Sequence, residues 1–235
     1  KASALAIRQG GLVMVGNREI GVFDPATEAY ERKLLLEDGP GAGETNDGGM
    51  APDGCFWFGT MDGPEATGPG AYFRLTPECE VERLPHAAVT VPNFMGFSPD
   101  GATFYTCDTA EQEILAYDRD PVTGTLSGRR VFATTTKIGG YPDGGAVDAV
   151  GRLWSCHFGA GQVVCYEPDG RVAEIVRLPV SRPTSCAFGG ADRRTLFITT
   201  SRIGIEGDDL EAEPFAGGLF SVEVDMPGLR VPELG

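Results

Sequence analysis

Two markers recur at nearly one period along this 235-residue chain, and that periodicity restricts its fold more than any other feature. The first marker is a tight turn opening an apolar run. It reads Gly10-Gly11-Leu12-Val13-Met14-Val15, Asp53-Gly54-Cys55-Phe56-Trp57-Phe58, Asp100-Gly101-Ala102-Thr103-Phe104-Tyr105, Val150-Gly151-Arg152-Leu153-Trp154 and Arg194-Thr195-Leu196-Phe197-Ile198. The turn positions 11, 54, 101, 151 and 195 are 43, 47, 50 and 44 residues apart. The second marker is an aromatic closing a β-type run, at Phe23, Phe73, Tyr117, Tyr166 and Phe220, with spacings of 50, 44, 49 and 54. Each unit holds several short segments rich in Val, Ile, Phe, Tyr and Thr, and no 3.6-residue apolar period runs for three turns without Gly or Pro. Units of this length built from four short strands predict an all-β chain folded as a β-propeller, whose blades stack around a central channel. The first marker falls about ten residues from Lys1, which leaves little room for earlier strands of its unit. The pattern therefore predicts either five blades or a single propeller domain over 1–235 that lacks an N-terminal segment of about one blade.

Composition narrows the partners. With 34 acidic against 19 basic residues the net charge is −15, so nucleic acid and anionic membrane surfaces are poor partners, repelled over most of the surface. The 41% hydrophobic content supports a sizeable core, while no run approaches the roughly 20 apolar residues of a membrane-spanning helix. Six cysteines without a Cys-x-x-Cys pair, three of them inside apolar runs, read as reduced packing thiols and a cytoplasmic location. Trp57 and Trp154 stand at equivalent repeat positions and read as blade packing, and His157 on its apolar strand reads as a packed residue. His86 is the other histidine, and the acidic stretch 204–215 reads as a solvated loop.

Ligands of a propeller gather at one mouth of the channel, delivered by residues placed just before the apolar strands. Asn46, Asn93 and Asp143 each lie eight residues before a turn glycine, at Gly54, Gly101 and Gly151. Equal phase in consecutive blades aims them at one place on the axis. Amide oxygen and carboxylate together make a hard, oxygen-only donor set, suited to a cation such as Ca²⁺, Mg²⁺ or Mn²⁺. The same Asn-Asp-Gly, Pro-Asn and Pro-Asp-Gly segments are also favourable turns for backbone reasons alone. Gly-x-Ser-x-Gly, a Gly-rich phosphate loop and zinc spacings are all absent from the sequence.

Several segments in order carry a resemblance: Asn46-Asp47-Gly48 leading to Phe58-Gly59-Thr60-Met61, Pro92-Asn93 before Phe97-Ser98-Pro99-Asp100-Gly101, Pro142-Asp143-Gly144, and Arg182-Pro183-Thr184-Ser185-Cys186. From about residue 5 onward the chain resembles the senescence-marker-protein, regucalcin and gluconolactonase family of six-bladed propellers. The resemblance implies one divalent cation (Ca²⁺, Mg²⁺, Mn²⁺ or Zn²⁺) held by a Glu, an Asn and an Asp, and hydrolysis of a sugar lactone as the small-molecule substrate. Residue by residue, Asn93 matches the metal Asn, Asp143 the metal Asp that also serves as general base, and Asn46 a substrate-contacting Asn. The metal Glu of the family would lie upstream of Lys1. The Arg often found two residues before the substrate Asn is replaced here by Glu44, which is expected to contact substrate and to alter its choice. Two other functions share the motif set: metal-dependent cleavage of phosphotriesters or aryl esters, and a calcium- or partner-binding propeller without turnover.

Overall fold

The computed structural model describes residues 2–36, 43–61, 70–85 and 89–234, and they fold into five antiparallel sheets. The first sheet holds β1 (Ala4–Arg8), β2 (Gly11–Gly16), β3 (Glu19–Asp24) and β4 (Ala29–Leu35). The second holds β5 (Glu44–Met50), β6 (Phe56–Met61), β7 (Ala71–Leu75) and β8 (Val81–Arg83). The third holds β9 (Pro92–Phe97), β10 (Thr103–Asp108), β11 (Glu113–Arg119) and β12 (Leu126–Thr134). The fourth holds β13 (Tyr141–Val147), β14 (Leu153–Phe158), β15 (Gln162–Tyr166) and β16 (Val172–Arg177). The fifth holds three strands, β17 (Pro183–Gly189), β18 (Thr195–Thr200) and β19 (Leu219–Glu223), with the short helix α1 (Asp208–Ala212) in the loop between the last two.

Each turn marker opens the second strand of a sheet, and each aromatic marker lies on the third. The turn needs a left-handed residue, supplied for example by Gly101 at φ 70°. Because only one strand precedes the marker in every sheet, β1 fits before Gly10 and the first sheet has its four strands. The expectation of an incomplete first blade is therefore corrected, and the sheet with fewer strands is the fifth. The described residues make five blades, where the resemblance implies six.

The first strands of neighbouring sheets, β1, β5, β9, β13 and β17, pack on one another in that order and form the inner ring. Large apolar side chains fill the seams between blades. Trp57 is fully buried against Phe97 and Phe104 of the third sheet, with centroid distances of 5.3 and 5.0 Å. Trp154 clusters with Cys186, Leu196 and Ile198 of the fifth sheet. Both tryptophans are blade packing, as their repeat positions predict. The fourth strands are mostly exposed, β16 for instance alternating little and burying nothing, so stabilisation concentrates in the seams, about 25 cal/mol per Å² of apolar surface removed from water. The chain end returns to the ring: Ala149 donates to the Pro227 carbonyl at 2.8 Å and Leu234 to the Ile7 carbonyl at 2.8 Å. All six cysteines are free thiols, five of them buried. No helix among the described residues is long and apolar enough to cross a membrane.

Candidate active site

Four of the five inner strands break register at one height. In β5 the shift lies between Thr45 and Gly48, in β9 at Phe94, in β13 between Pro142 and Gly145, and in β17 between Pro183 and Ser185. β1 pairs with β2 without interruption. A bulge inserts one unpaired residue, bends the strand and re-aims side chains that strict alternation would send to opposite faces. Three of the four bulges follow a proline, whose missing N–H suits a place where the ladder is interrupted. Phe94 adopts φ 53°, a left-handed conformation unusual for a bulky residue.

The bulges bring Asn46 and Asn93 into contact. Asn46 Nδ2 donates to Asn93 Oδ1 at 2.8 Å and to the Pro92 carbonyl at 3.0 Å, joining the second blade to the third. Asn93 is buried, and its Nδ2 donates to Thr109 Oγ1 at 2.8 Å. That hydroxyl donates in turn to the Pro142 carbonyl at 2.6 Å, beside Asp143 in the fourth blade. Below them the Cys107 thiol faces the carbonyl oxygens of Asn93 and Asp143 at 3.2 and 3.4 Å. Asn46 and Asn93 are thus in direct contact, and Asp143 stands on the neighbouring inner strand, its backbone carbonyl facing the same Cys107 thiol as that of Asn93. Glu44 stands at the first position of β5, half-buried and paired with Met61, two residues from Asn46.

Two carboxylates dominate the electrostatics. Asp143 accepts the Gly144 N–H at 3.0 Å, but burial pushes its carboxyl up to about 8, reinforced by the charge of Asp47. Asp47 accepts the N–H groups of Gly48 at 2.7 Å and Phe94 at 2.8 Å, yet burial still raises it to about 6. No cationic side chain among the described residues contributes to either shift. Two desolvated acids of like charge, with the Asn93 amide on the inner strand between theirs, form a donor set that a hard cation fits, since it would favour the ionised carboxylates that burial disfavours. Among the described residues no group of three His, Cys, Asp or Glu side chains gathers to complete such a site.

Asp47 and Thr109 are site residues that the sequence does not reveal. In a regular strand Asp47 would point away from Asn46, and only the bulge turns both toward the third blade. Thr109 follows β10, sixteen residues after Asn93, and nothing in its surroundings in the sequence marks it. His157 is fully buried, donates Nδ1–H to the Gly139 carbonyl at 2.8 Å and accepts from Tyr166 at 3.2 Å. Burial lowers its basicity, so it packs as a neutral ring. His86 lies outside the described residues. In the acidic stretch, α1 is mostly exposed, and Glu213 is tied to the Ser181 N–H and hydroxyl at 2.7 and 3.0 Å.

Comparison with known proteins places these features in one lineage. Residues 1–202 match the family model described as the SMP-30/gluconolactonase/LRE-like region. A 6-deoxy-6-sulfogluconolactonase of Pseudomonas putida is 37% identical over 228 residues, which cover 95% of this chain and 77% of that protein. L-arabinolactonase of Azospirillum brasilense is 37% identical over 214 residues, covering 89% and 69%. The crystal structure of the calcium-binding protein regucalcin from Agrobacterium tumefaciens superposes with a TM-score of 0.91 at 32% identity, covering all of this chain and 79% of that one.

Proposed function

Since the chain belongs to the SMP-30/gluconolactonase/LRE-like family, we propose that it is a hydrolase that opens a sugar lactone at the inner-strand bulges of Asn46, Asn93 and Asp143. The observation that carries the reading is the desolvated Asp143 carboxyl, about 8 without a cation, at a bulge in the inner strand that packs against the one carrying Asn93. The names of its relatives, lactonases of P. putida and A. brasilense, support the substrate class. In this reading Asn93 and Asp143 hold one divalent cation. When bound, such an ion polarises a lactone carbonyl and draws the Asp143 carboxyl back toward its ionised form.

The chain's own groups then divide the remaining work. Asp143 in its ionised form takes the proton of the attacking water, a step worth roughly 10² to 10⁴ in rate. Asn46 meets a sugar hydroxyl, and Glu44 stands at the rim where it accepts hydrogen bonds from further hydroxyls and repels anions. Five buried free thiols fit a reducing compartment, which supports a cytoplasmic location.

We also read the complete ring as six-bladed. Leu5 and Ile7 of β1, 54% and 53% exposed, and Phe197 and Leu219 of the fifth sheet, 38% and 68% exposed, leave apolar faces at the two ends of the row of blades. One further sheet between them would cover both. The test of function is acid release from a panel of neutral sugar lactones in weak buffer, with and without Mn²⁺, Mg²⁺ or Ca²⁺. Cation-dependent turnover is the expected result. A cation-binding protein with no turnover on any lactone or aryl ester would replace the hydrolase reading by that of a binding propeller.

A further inference from the structure

The hydrogen bonds around Asn93 have a direction that chemistry alone fixes. The Pro142 and Pro92 carbonyls can only accept. Thr109 has one hydroxyl proton, and at 2.6 Å from the Pro142 carbonyl it must spend it there. Toward Asn93 the same hydroxyl can then only accept, so the Asn93 side chain presents its NH₂ to Thr109 and turns Oδ1 the other way. At the far end, Asn46 must place its NH₂ on the Pro92 carbonyl, and its second N–H reaches Asn93 Oδ1. Read from either end, the amide orientations agree. The route Asn46 to Asn93 to Thr109 to Pro142 is one-way and ties three successive blades.

We propose that Thr109 is a positioning residue: through its single proton it locks the Asn93 amide with Oδ1 toward the cation position. It also leaves Asn46 with both N–H groups engaged, so that Asn46 meets substrate only through its oxygen. This rests on the metal-dependent reading above and extends it to a residue that touches neither cation nor substrate. The consequence for substrate is that the second-blade wall of the pocket, Asn46 with Glu44, offers acceptors and therefore selects hydroxyl donors.

The test uses the metal-free protein and three variants. Thr109→Val keeps the shape and deletes the hydroxyl, Thr109→Ala deletes it without adding a branch against Pro142, and Thr109→Ser restores it. Two readouts are taken: the Asn side-chain NH₂ resonances in the amide NMR spectrum, and the affinity for Mn²⁺ by calorimetry. Loss of an oriented partner behind a metal ligand costs roughly 10- to 100-fold in affinity. The expected result is that Val and Ala move the Asn93 and Asn46 resonances and weaken Mn²⁺ binding by at least tenfold, while Ser matches wild type in both. Unmoved resonances in folded Thr109→Val or Thr109→Ala overturn the lock whatever the metal does. Moved resonances with unchanged Mn²⁺ affinity overturn its role at the cation position. Failure of the wild-type protein to bind Mn²⁺ overturns the metal reading, and with it this role, while the resonances still decide by themselves whether the hydrogen-bond route exists.

Discussion

The fourth and fifth blades run the same backbone through the same irregularity and do different things with it. β13 and β17 each carry a proline near the start and a bulge immediately after it, opposite the end of the second strand. At the bulge β13 places Asp143, with neighbouring inner strands on both sides and a carboxyl driven up to about 8 by burial. β17 places Thr184, whose hydroxyl pairs with Thr199 of its own sheet at 2.8 Å. The bulge is thus a delivery device, and two further conditions make it chemistry: a titratable side chain, and a neighbour on each side to exclude water. β1, with no bulge, alternates plainly between buried Ala4 and Ala6 and exposed Leu5 and Ile7.

The largest effect that should break this comparison is Asp143→Asn. It retains shape and one oxygen but deletes the charge, and should lower lactone turnover by about 10² to 10⁴. Thr184→Ala, at the same register, should leave turnover within about twofold, or 0.4 kcal/mol. Paired measurements of kcat on one lactone decide it: comparable losses in both would mean that bulge geometry, and not the carboxylate, carries the reaction.

Next in size is the closeness of the inner ring that desolvates these groups. Gly49 of β5 lies so near β9 that a Cβ there would collide with the Met95 carbonyl oxygen. Gly49→Ala must force the second and third blades apart, at a cost of about 1–3 kcal/mol by the usual penalty of overpacking. Denaturant unfolding should show it as a lower midpoint with unchanged slope. An unchanged midpoint would mean that the seam is looser than its geometry indicates.

The parts of this arrangement visible in the sequence are those with a local signature. Turn markers and closing aromatics are local, and they locate the second and third strands of every blade. The equal offsets of Asn46, Asn93 and Asp143 put each at or beside the register break of its inner strand, because equal phase in repeated units is equal position along the strand. The strand count of the first blade is misread from the sequence because the marker opens the second strand, a fact that only the strand pairing reveals. Asp47 and Thr109 are invisible for a related reason. A bulge depends on register between two strands, and the Thr109 bonds join residues 16 and 33 positions apart, so no window along the chain contains them.

The same desolvation gives a pH dependence. In the metal-free protein Asp143 and Asp47 have folded values of about 8 and about 6, above their ordinary 3.8. The folded state therefore holds protons that the unfolded chain has released, and stability contributed by those protons is present at low pH and lost as pH rises from about 4 through 8. The melting temperature of metal-free protein should fall across that window more steeply than that of Asp143→Asn, and a bound divalent cation should flatten the difference while releasing protons. Parallel curves for the two proteins would assign the titration elsewhere.

The smallest effect separates the rims of the second and fifth blades. Two residues before the bulge position stand Glu44 in the second blade and Arg182 in the fifth, the latter with its guanidinium over the Phe158 ring at 5.5 Å. In β5, Glu44 pairs with Met61 in the last stretch of regular ladder before the bulge that carries Asn46. A carboxylate beside an amide oxygen favours substrates that donate hydrogen bonds and disfavours anions, so neutral polyhydroxy lactones should outcompete acidic ones. Glu44→Gln keeps an acceptor and removes the repulsion, whereas Glu44→Arg reverses the sign and should favour acidic lactones. Relative kcat/KM across a small panel should shift by about three- to tenfold between these two variants, or roughly 0.7 to 1.4 kcal/mol in transition-state discrimination. A panel whose ranking stays within about twofold, near 0.4 kcal/mol, would show that the second-blade rim is a solvated edge and that selection resides deeper, at Asn46.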